Sequence, residues 1–405
     1  MRRRSDLFYL YSARAARGFG DGFAVIILPA YLTEIGFDPF GVGVVATAAL
    51  LGSAVTTLAV GFLARRHDLR NLLLSGALLM VATGLAIPNF NQLASIVLIV
   101  FIGTMNPQAG YTGMLVPLEH AMLTRGATDK ERTRIFARYS LFGELAMAAG
   151  ALAAATPDAL VSLGLGKIVA LKSMFYFYAA LGLVSVTLYW ALPHRRARET
   201  NDRAAALGPS RGIVYKLAAL FSLDAFAGGF AVQSLVALWL FERFDLSLTA
   251  ASIFFFLSNI LGAFSYLVAA RLAKRIGLIN TMVFTHIPSS MCLILAAFSP
   301  NLVIVLALLL IRSALSEMDV PTRSSYVMAV VTPPERPAAA SITAVPRSLA
   351  ASVSPALAGA LLTTAFSGLP LVICGCLKIV YDLSLLFGFR QIKPPEEEAR
   401  SDARR

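Results

Sequence analysis

The chain has 405 residues, 57% hydrophobic and 14% charged, with a formal net charge of +12 and a mean hydropathy of +0.72. A soluble domain is roughly 45–50% apolar and about 25% charged. This composition therefore excludes a soluble enzyme, a nucleic-acid-binding domain and a disordered scaffold, and leaves a polytopic membrane protein.

The N-terminal stretch MRRRSDLFYLYSARAARGFGDGF is basic but has no apolar core ending in a small-residue cleavage site. It reads as a cytoplasmic lead into the first span, not as a signal peptide. Twelve apolar segments follow, at 13–35, 40–63, 70–90, 92–116, 137–157, 170–192, 213–241, 248–270, 277–298, 302–320, 338–364 and 368–389. Each matches the ~20 residues that a helix needs to cross ~30 Å of hydrocarbon. A membrane β-barrel would show alternating segments of about ten residues. These are twice that length and do not alternate, so the expected fold is an all-α membrane protein of twelve transmembrane helices.

With the N-terminus inside, the cytoplasmic segments together with the adjoining span ends hold 27 of the 35 lysines and arginines, and the outer loops with their span ends only Lys167, Lys172 and Arg243. This is the positive-inside pattern, and it places both termini in the cytoplasm of a cell whose inner (plasma) membrane the chain would span. The three cysteines, Cys292, Cys374 and Cys376, all fall in apolar runs and form neither a disulfide framework nor a zinc cluster. No cofactor is expected.

The polar stretch 193–212 sits at mid-chain and reads as a linker between an N-terminal bundle (1–192) and a C-terminal bundle (213–389), with a cytoplasmic tail at 390–405. The halves repeat. GFAV at Gly22 recurs at Gly229, and the later Phe37-Asp38 recurs as Phe244-Asp245 at the same offset. Val116-Pro117, followed by Glu131-Arg132, matches Val320-Pro321, followed by Glu335-Arg336. Two homologous six-helix halves are the mark of an alternating-access carrier.

In these features the chain resembles the major facilitator superfamily over nearly its whole length. The family's loop signature, roughly G-x-L-A-D-R-x-G-R-R, is matched in frame by Gly61-Phe62-Leu63-Ala64-Arg65-Arg66 and by Ala270-Arg271-Leu272-Ala273-Lys274-Arg275. Arg65 and Lys274 replace the signature's acid, with Asp68 three residues on as a substitute. The resemblance implies that helices 1, 4, 7 and 10 line a cavity, with 2, 5, 8 and 11 beside them and the rest outside. The small residues of span eleven, Ser354 to Ala360, point to close helix approach.

A charge at mid-bilayer costs about 2.5–3.5 kcal/mol on insertion scales and tends to face a cavity or a partner. By depth and by the resemblance, Asp21, Asp224 and Arg312 are cavity candidates and Glu144 and Arg347 lie adjacent. Asn106, Gln108 and Gln233 are polar candidates for solute contact. For Asp21 and Asp224 a proton-coupling or substrate role stands beside a fixed pairing with Arg17 and Arg312, respectively. Lys378 and Asp382, four apart on span twelve, are expected to neutralise each other on the periphery, and His286 to be structural. Arg66, Glu119, Arg138, Arg275, Glu317, Asp319 and Arg323 are inner-gate candidates.

The function expected is secondary active transport of a small solute, as a proton-coupled exporter or alternatively as an importer of a polar or anionic nutrient. The expected partners are that solute, protons and the lipid bilayer, with no nucleic acid and the chain a monomer. An enzyme is not expected: the four histidines form no HExxH or Cys-His arrangement.

Overall fold

Local signals start several of the helices. Asp38 accepts from Gly41 N at 2.8 Å with Pro39 in the first turn, Asp68 accepts from Arg70 N at 2.8 Å, and Asn301 accepts from Val303 N and Ile304 N. Each side-chain oxygen satisfies amides that a helix start leaves unpaired. Asp68, read above as a substitute for the missing loop acid, thus has a capping role. The computed structural model describes residues 2–64, 66–108, 113–123, 129–193, 207–390 and 392; at 2–5, 129–133, 267, 333 and 337 it describes the backbone only. Arg65 and most of the 193–212 linker lie outside the described residues.

In chain order the helices are α1 (Arg2–Glu34), α2 (Pro39–Leu63), α3 (Leu69–Ala86), α4 (Leu93–Ile102), α5 (Leu115–Leu123), α6 (Asp129–Ala153), α7 (Thr156–Ser162) and α8 (Lys167–Trp190). There follow α9 (Arg211–Gly229), α10 (Gln233–Phe244), α11 (Leu248–Ile276), α12 (Leu278–Phe298), α13 (Leu302–Ser316), α14 (Asp319–Val330), α15 (Arg336–Leu362) and α16 (Leu369–Phe389). Among the described residues every regular element is helical, as expected of an all-α membrane fold.

Nine stretches among the described residues are long and apolar enough to cross a membrane. The predicted spans that are not among them are one, four and ten. Span one is the helix α1, which carries Arg14, Arg17 and Asp21. Span four is broken: α4 stops at Ile102, and α5 carries on to Leu123, past the loop boundary expected at 116. Span ten pauses at Glu317–Met318 and continues as α14 to Val330, past the boundary expected at 320. Hydropathy ends a span at its first polar cluster, whereas a helix continues where those polar groups find partners inside the protein.

The chain divides into two compact units. One comprises Met1–Glu199, Val232–Ile260 and Pro355–Ala365; the other comprises Thr200–Ala231, Leu261–Ser354 and Phe366–Arg405. In the first, α1 packs on α6 and α8, and α3 packs on α8. Leu73, Ala77, Leu115, Leu118, Tyr139 and Tyr189 form part of its core. In the second, α12 packs on α13, α14 and α16, and α16 on α9, around a core that includes Leu217, Phe221, Met282, Tyr326, Tyr381 and Leu385.

Candidate functional site

In the first unit the Arg17 guanidinium on α1 donates to Oε2 of Glu119 on α5. The hydroxyls of Tyr139 on α6 and Tyr189 on α8 donate to the same carboxylate, at 2.5 and 2.6 Å. Glu119 is 0% exposed and Arg17 7%. A buried carboxylate is tolerable only with this degree of pairing. Glu119, expected at the inner gate, is thus enclosed in the interior of this unit, on the helix α5 that carries span four onward beyond its break. Arg17 does not take the i,i+4 partner on its own helix, Asp21.

Asp21 lies one turn further along α1. It lines a small, open cavity together with Arg17, Ser53, Thr56, Thr104 and Tyr178. The Tyr178 hydroxyl lies close to Asp21 and 3.4 Å from Thr104 Oγ1. Thr56 Oγ1 donates to Gly52 O at 2.8 Å, which leaves its lone pairs for the cavity. Among the described residues no cation lies within 4 Å of the Asp21 carboxylate.

The second unit holds a longer chain of charges. Asp224 on α9, 3% exposed, accepts from Arg323 Nη1 on α14 at 2.9 Å and from Lys378 Nζ on α16 at 2.7 Å. Asp319 takes the Arg323 guanidinium at 3.2 Å from one turn away. Lys378 Nζ also reaches His286 Nε2 on α12 at 3.3 Å, and His286 Nδ1 faces the two oxygens of Asp382 at 3.0 and 3.1 Å. An ammonium only donates, so Nε2 offers its lone pair and Nδ1 carries the hydrogen toward Asp382.

Two further expected pairings are corrected by this geometry. Asp224 is paired with Arg323 and Lys378, whereas Arg312, half-buried on α13, is not among its partners. Lys378 and Asp382 do not neutralise each other, because each finds a buried partner on another helix at hydrogen-bond distance. Asp319 and Arg323, expected at the inner gate, are buried on α14 and paired with each other. His286 belongs to the charge chain.

The remaining candidates are more scattered. Glu317 accepts from Tyr266 OH at 3.1 Å. Arg66, Arg138 and Arg275 are exposed, and Glu144 is buried on α6. Arg347 is half-buried, with its Nε buried and lacking a hydrogen-bond partner. Asn106 and Gln108 lie in the break between α4 and α5, where Asn106 Oδ1 accepts from Gln108 N at 3.0 Å. Gln233 Nε2 donates to Asn259 Oδ1 at 3.3 Å. Next to Gln233, Ser234 N donates to Pro107 O at 3.2 Å, so the start of α10 is tied to the same break. Outside the spans, Glu335 accepts from Gly208 N and from Thr332 Oγ1, and these bonds hold its carboxyl below the usual range.

Two broken spans, four and ten, thus each supply one member of a buried ion pair, and their partners stand on α1 and α9. Sequence reasoning singles out all four charges but misses Tyr139, Tyr178 and Tyr189, which count as apolar in a hydropathy window. Their only signal is aromatic residues bearing a hydroxyl inside spans, groups that seek a partner when buried.

A sequence profile of the Major Facilitator Superfamily matches residues 10–316 and 219–405. The chain belongs to the major facilitator superfamily. A membrane protein of Saccharomyces cerevisiae, YJR124C, described as uncharacterized, is 20% identical, with 94% of this chain and 93% of the yeast protein covered. Among solved structures, the nucleoside transporter NupG superposes with a TM-score of 0.74 at 14% identity, covering 95% of this chain and 99% of NupG. The xylose transporter XylE from E. coli, in a partially occluded inward-open conformation, gives a TM-score of 0.72 at 13% identity, covering 96% and 99%. At these identities the likeness establishes the superfamily fold of twelve helices. The protein is thus a membrane transporter by family.

Proposed function

We propose that this superfamily member is a proton-coupled secondary transporter of a small solute that works by exchange, with export as the direction, and that Asp21 is its proton-carrying group. The observation that carries the reading is the Asp21 carboxylate. It lines a cavity among hydroxyls while the nearby Arg17 is committed to Glu119. Asp21 is half-buried, and a carboxylate within the apolar layer without a fixed counter-ion is costly to keep ionised, so a proton or a solute relieves it. Opposing demands of the two on one group produce exchange. Asp224, by contrast, is held by two cations at hydrogen-bond distance, which supports a fixed structural pairing there.

The test begins with a thermal-shift screen of the purified protein against amines, sugars and organic acids to find a solute. In proteoliposomes, Asp21→Asn is then expected to keep counterflow of that solute and to lose accumulation driven by an imposed pH difference. Asp224→Asn is expected to lower the yield of folded protein. If Asp21→Asn vesicles still accumulate solute on a pH difference alone, Asp21 is not the coupling group. The sign of the pH difference that drives accumulation separates export from import.

The charge asymmetry of the loops supports an inner-membrane location with both termini cytoplasmic. Reporter fusions at residue 203 and after residue 405 are expected to report the cytoplasm. An external signal at either would overturn the twelve-span topology in that orientation.

A further inference from the structure

The two buried ion pairs occupy matching places in the repeat. Arg17 precedes Gly22 by five residues, as Asp224 precedes Gly229; Glu119 follows Pro117 by two, as Arg323 follows Pro321. The same inter-helix clamp is therefore present twice, with its charges exchanged: cation on α1 and anion on α5, then anion on α9 and cation on α14. The surroundings follow the sign. Glu119 is met by two tyrosine hydroxyls, whereas Arg323 lies over the Phe221 ring and beside the Asp319 carboxylate.

The exchange has a consequence one turn along. The residue before Gly22 is Asp21, and the residue before Gly229 is Gly228. A side chain grown at Gly228 would meet Lys378 Nζ at 3.8 Å, so the place of the acid faces an ammonium in the second half. Only the first half has a carboxylate beyond those of its clamp at this place, and it stands four residues from the clamp's cation on the same helix. At that spacing an arginine and an aspartate meet readily. They do not meet here because the Arg17 guanidinium is turned to Glu119. Arg17 still acts on Asp21 through space, as does Arg14 on α1, and the neutral Tyr178 hydroxyl on α8 lies close to it.

We propose that Glu119 is a positioning residue for Asp21: by holding Arg17 together with Tyr139 and Tyr189, it keeps the Asp21 carboxylate free of a fixed counter-ion and able to take up and release a proton. This rests on the reading of Asp21 as the proton-carrying group. It assigns Glu119, expected from the sequence to serve a gate, to the coupling machinery, and it confines that machinery to one half of the repeat.

The test needs no transported solute. Dicyclohexylcarbodiimide adds across a protonated carboxyl in an apolar setting: the acid proton moves to one reagent nitrogen and the carboxyl oxygen bonds to its central carbon. The adduct then rearranges to a stable N-acylurea that mass spectrometry places at a residue. Purified full-length protein is expected to be labelled at Asp21. In Glu119→Gln, Arg17 loses its partner and turns to Asp21, and labelling there is expected to fall by about tenfold, because an adjacent opposite charge favours the ionised carboxyl. In Arg17→Met/Glu119→Gln, which carries neither buried charge, labelling is expected to return to the wild-type level. A wild-type protein unlabelled at Asp21 overturns the reading of Asp21 itself. Wild-type labelling that Glu119→Gln leaves unchanged, or a loss that the double variant does not restore, overturns the role of Glu119 and leaves Asp21 standing.

Discussion

Glu119→Ala is expected to destabilise the protein by about 3–5 kcal/mol, the cost of stranding one partner of a buried ion pair. Three groups lose their acceptor at once: the Arg17 guanidinium and the Tyr139 and Tyr189 hydroxyls, all buried. A domain's net stability is about 5–15 kcal/mol, so a loss of this size shows as a collapse in the yield of monodisperse, detergent-solubilised protein. The control is the ion pair between Lys167 and Glu34, at 2.7 Å but with the lysine side chain 60% exposed. Breaking it by Lys167→Ala is expected to cost under ~1 kcal/mol, as exposed pairs do. Equal unfolding temperatures for Glu119→Ala and the wild type in a thermal scan would refute the clamp.

Gly22→Val is expected to have an effect of similar size for a different reason. A Cβ placed at Gly22 would stand 2.1 Å from the carbonyl oxygen of Met147 on α6, and one at Gly150 would stand 2.0 Å from that of Phe19 on α1. Backbone carbonyls cannot swing aside, so α1 and α6 would have to separate along their length. Small residues are what let membrane helices approach this closely. Overpacking that forces backbone shifts costs about 1–3 kcal/mol and more where nothing yields, which puts Gly22→Val and Gly150→Val at or above ~3 kcal/mol. Gly61→Ala, where an added Cβ meets nothing within 4 Å, is expected to leave the unfolding temperature unchanged or slightly raised. A Gly22→Val protein with wild-type thermal stability would contradict the close α1–α6 contact.

Much of this was legible in the residues themselves. The helical class follows from hydropathy and span length, and the matched segments that suggest a doubled organisation are likewise local properties of the chain. The charges within spans were legible too, since a carboxylate or guanidinium in an apolar run must have a partner or a use. Their pairing was not. Asp21 and Arg17, and Lys378 and Asp382, are each four apart on one helix and look paired in one dimension, yet Arg17, Lys378 and Asp382 take ion-pair partners on other helices.

The amino-acid sequence by itself thus determined the helical class, which segments match and which residues carry charge into the apolar layer. The tertiary structure alone decided that span four resumes at Leu115 and buries Glu119, that span ten resumes at Asp319 and buries Arg323, and that Asp21 is left beside a cavity. The physical reason is that insertion depends on each segment's own polarity. The choice of ion-pair partner depends on how each helix is rotated about its axis and on contacts as close as Gly22 against Met147, and no local pattern encodes those.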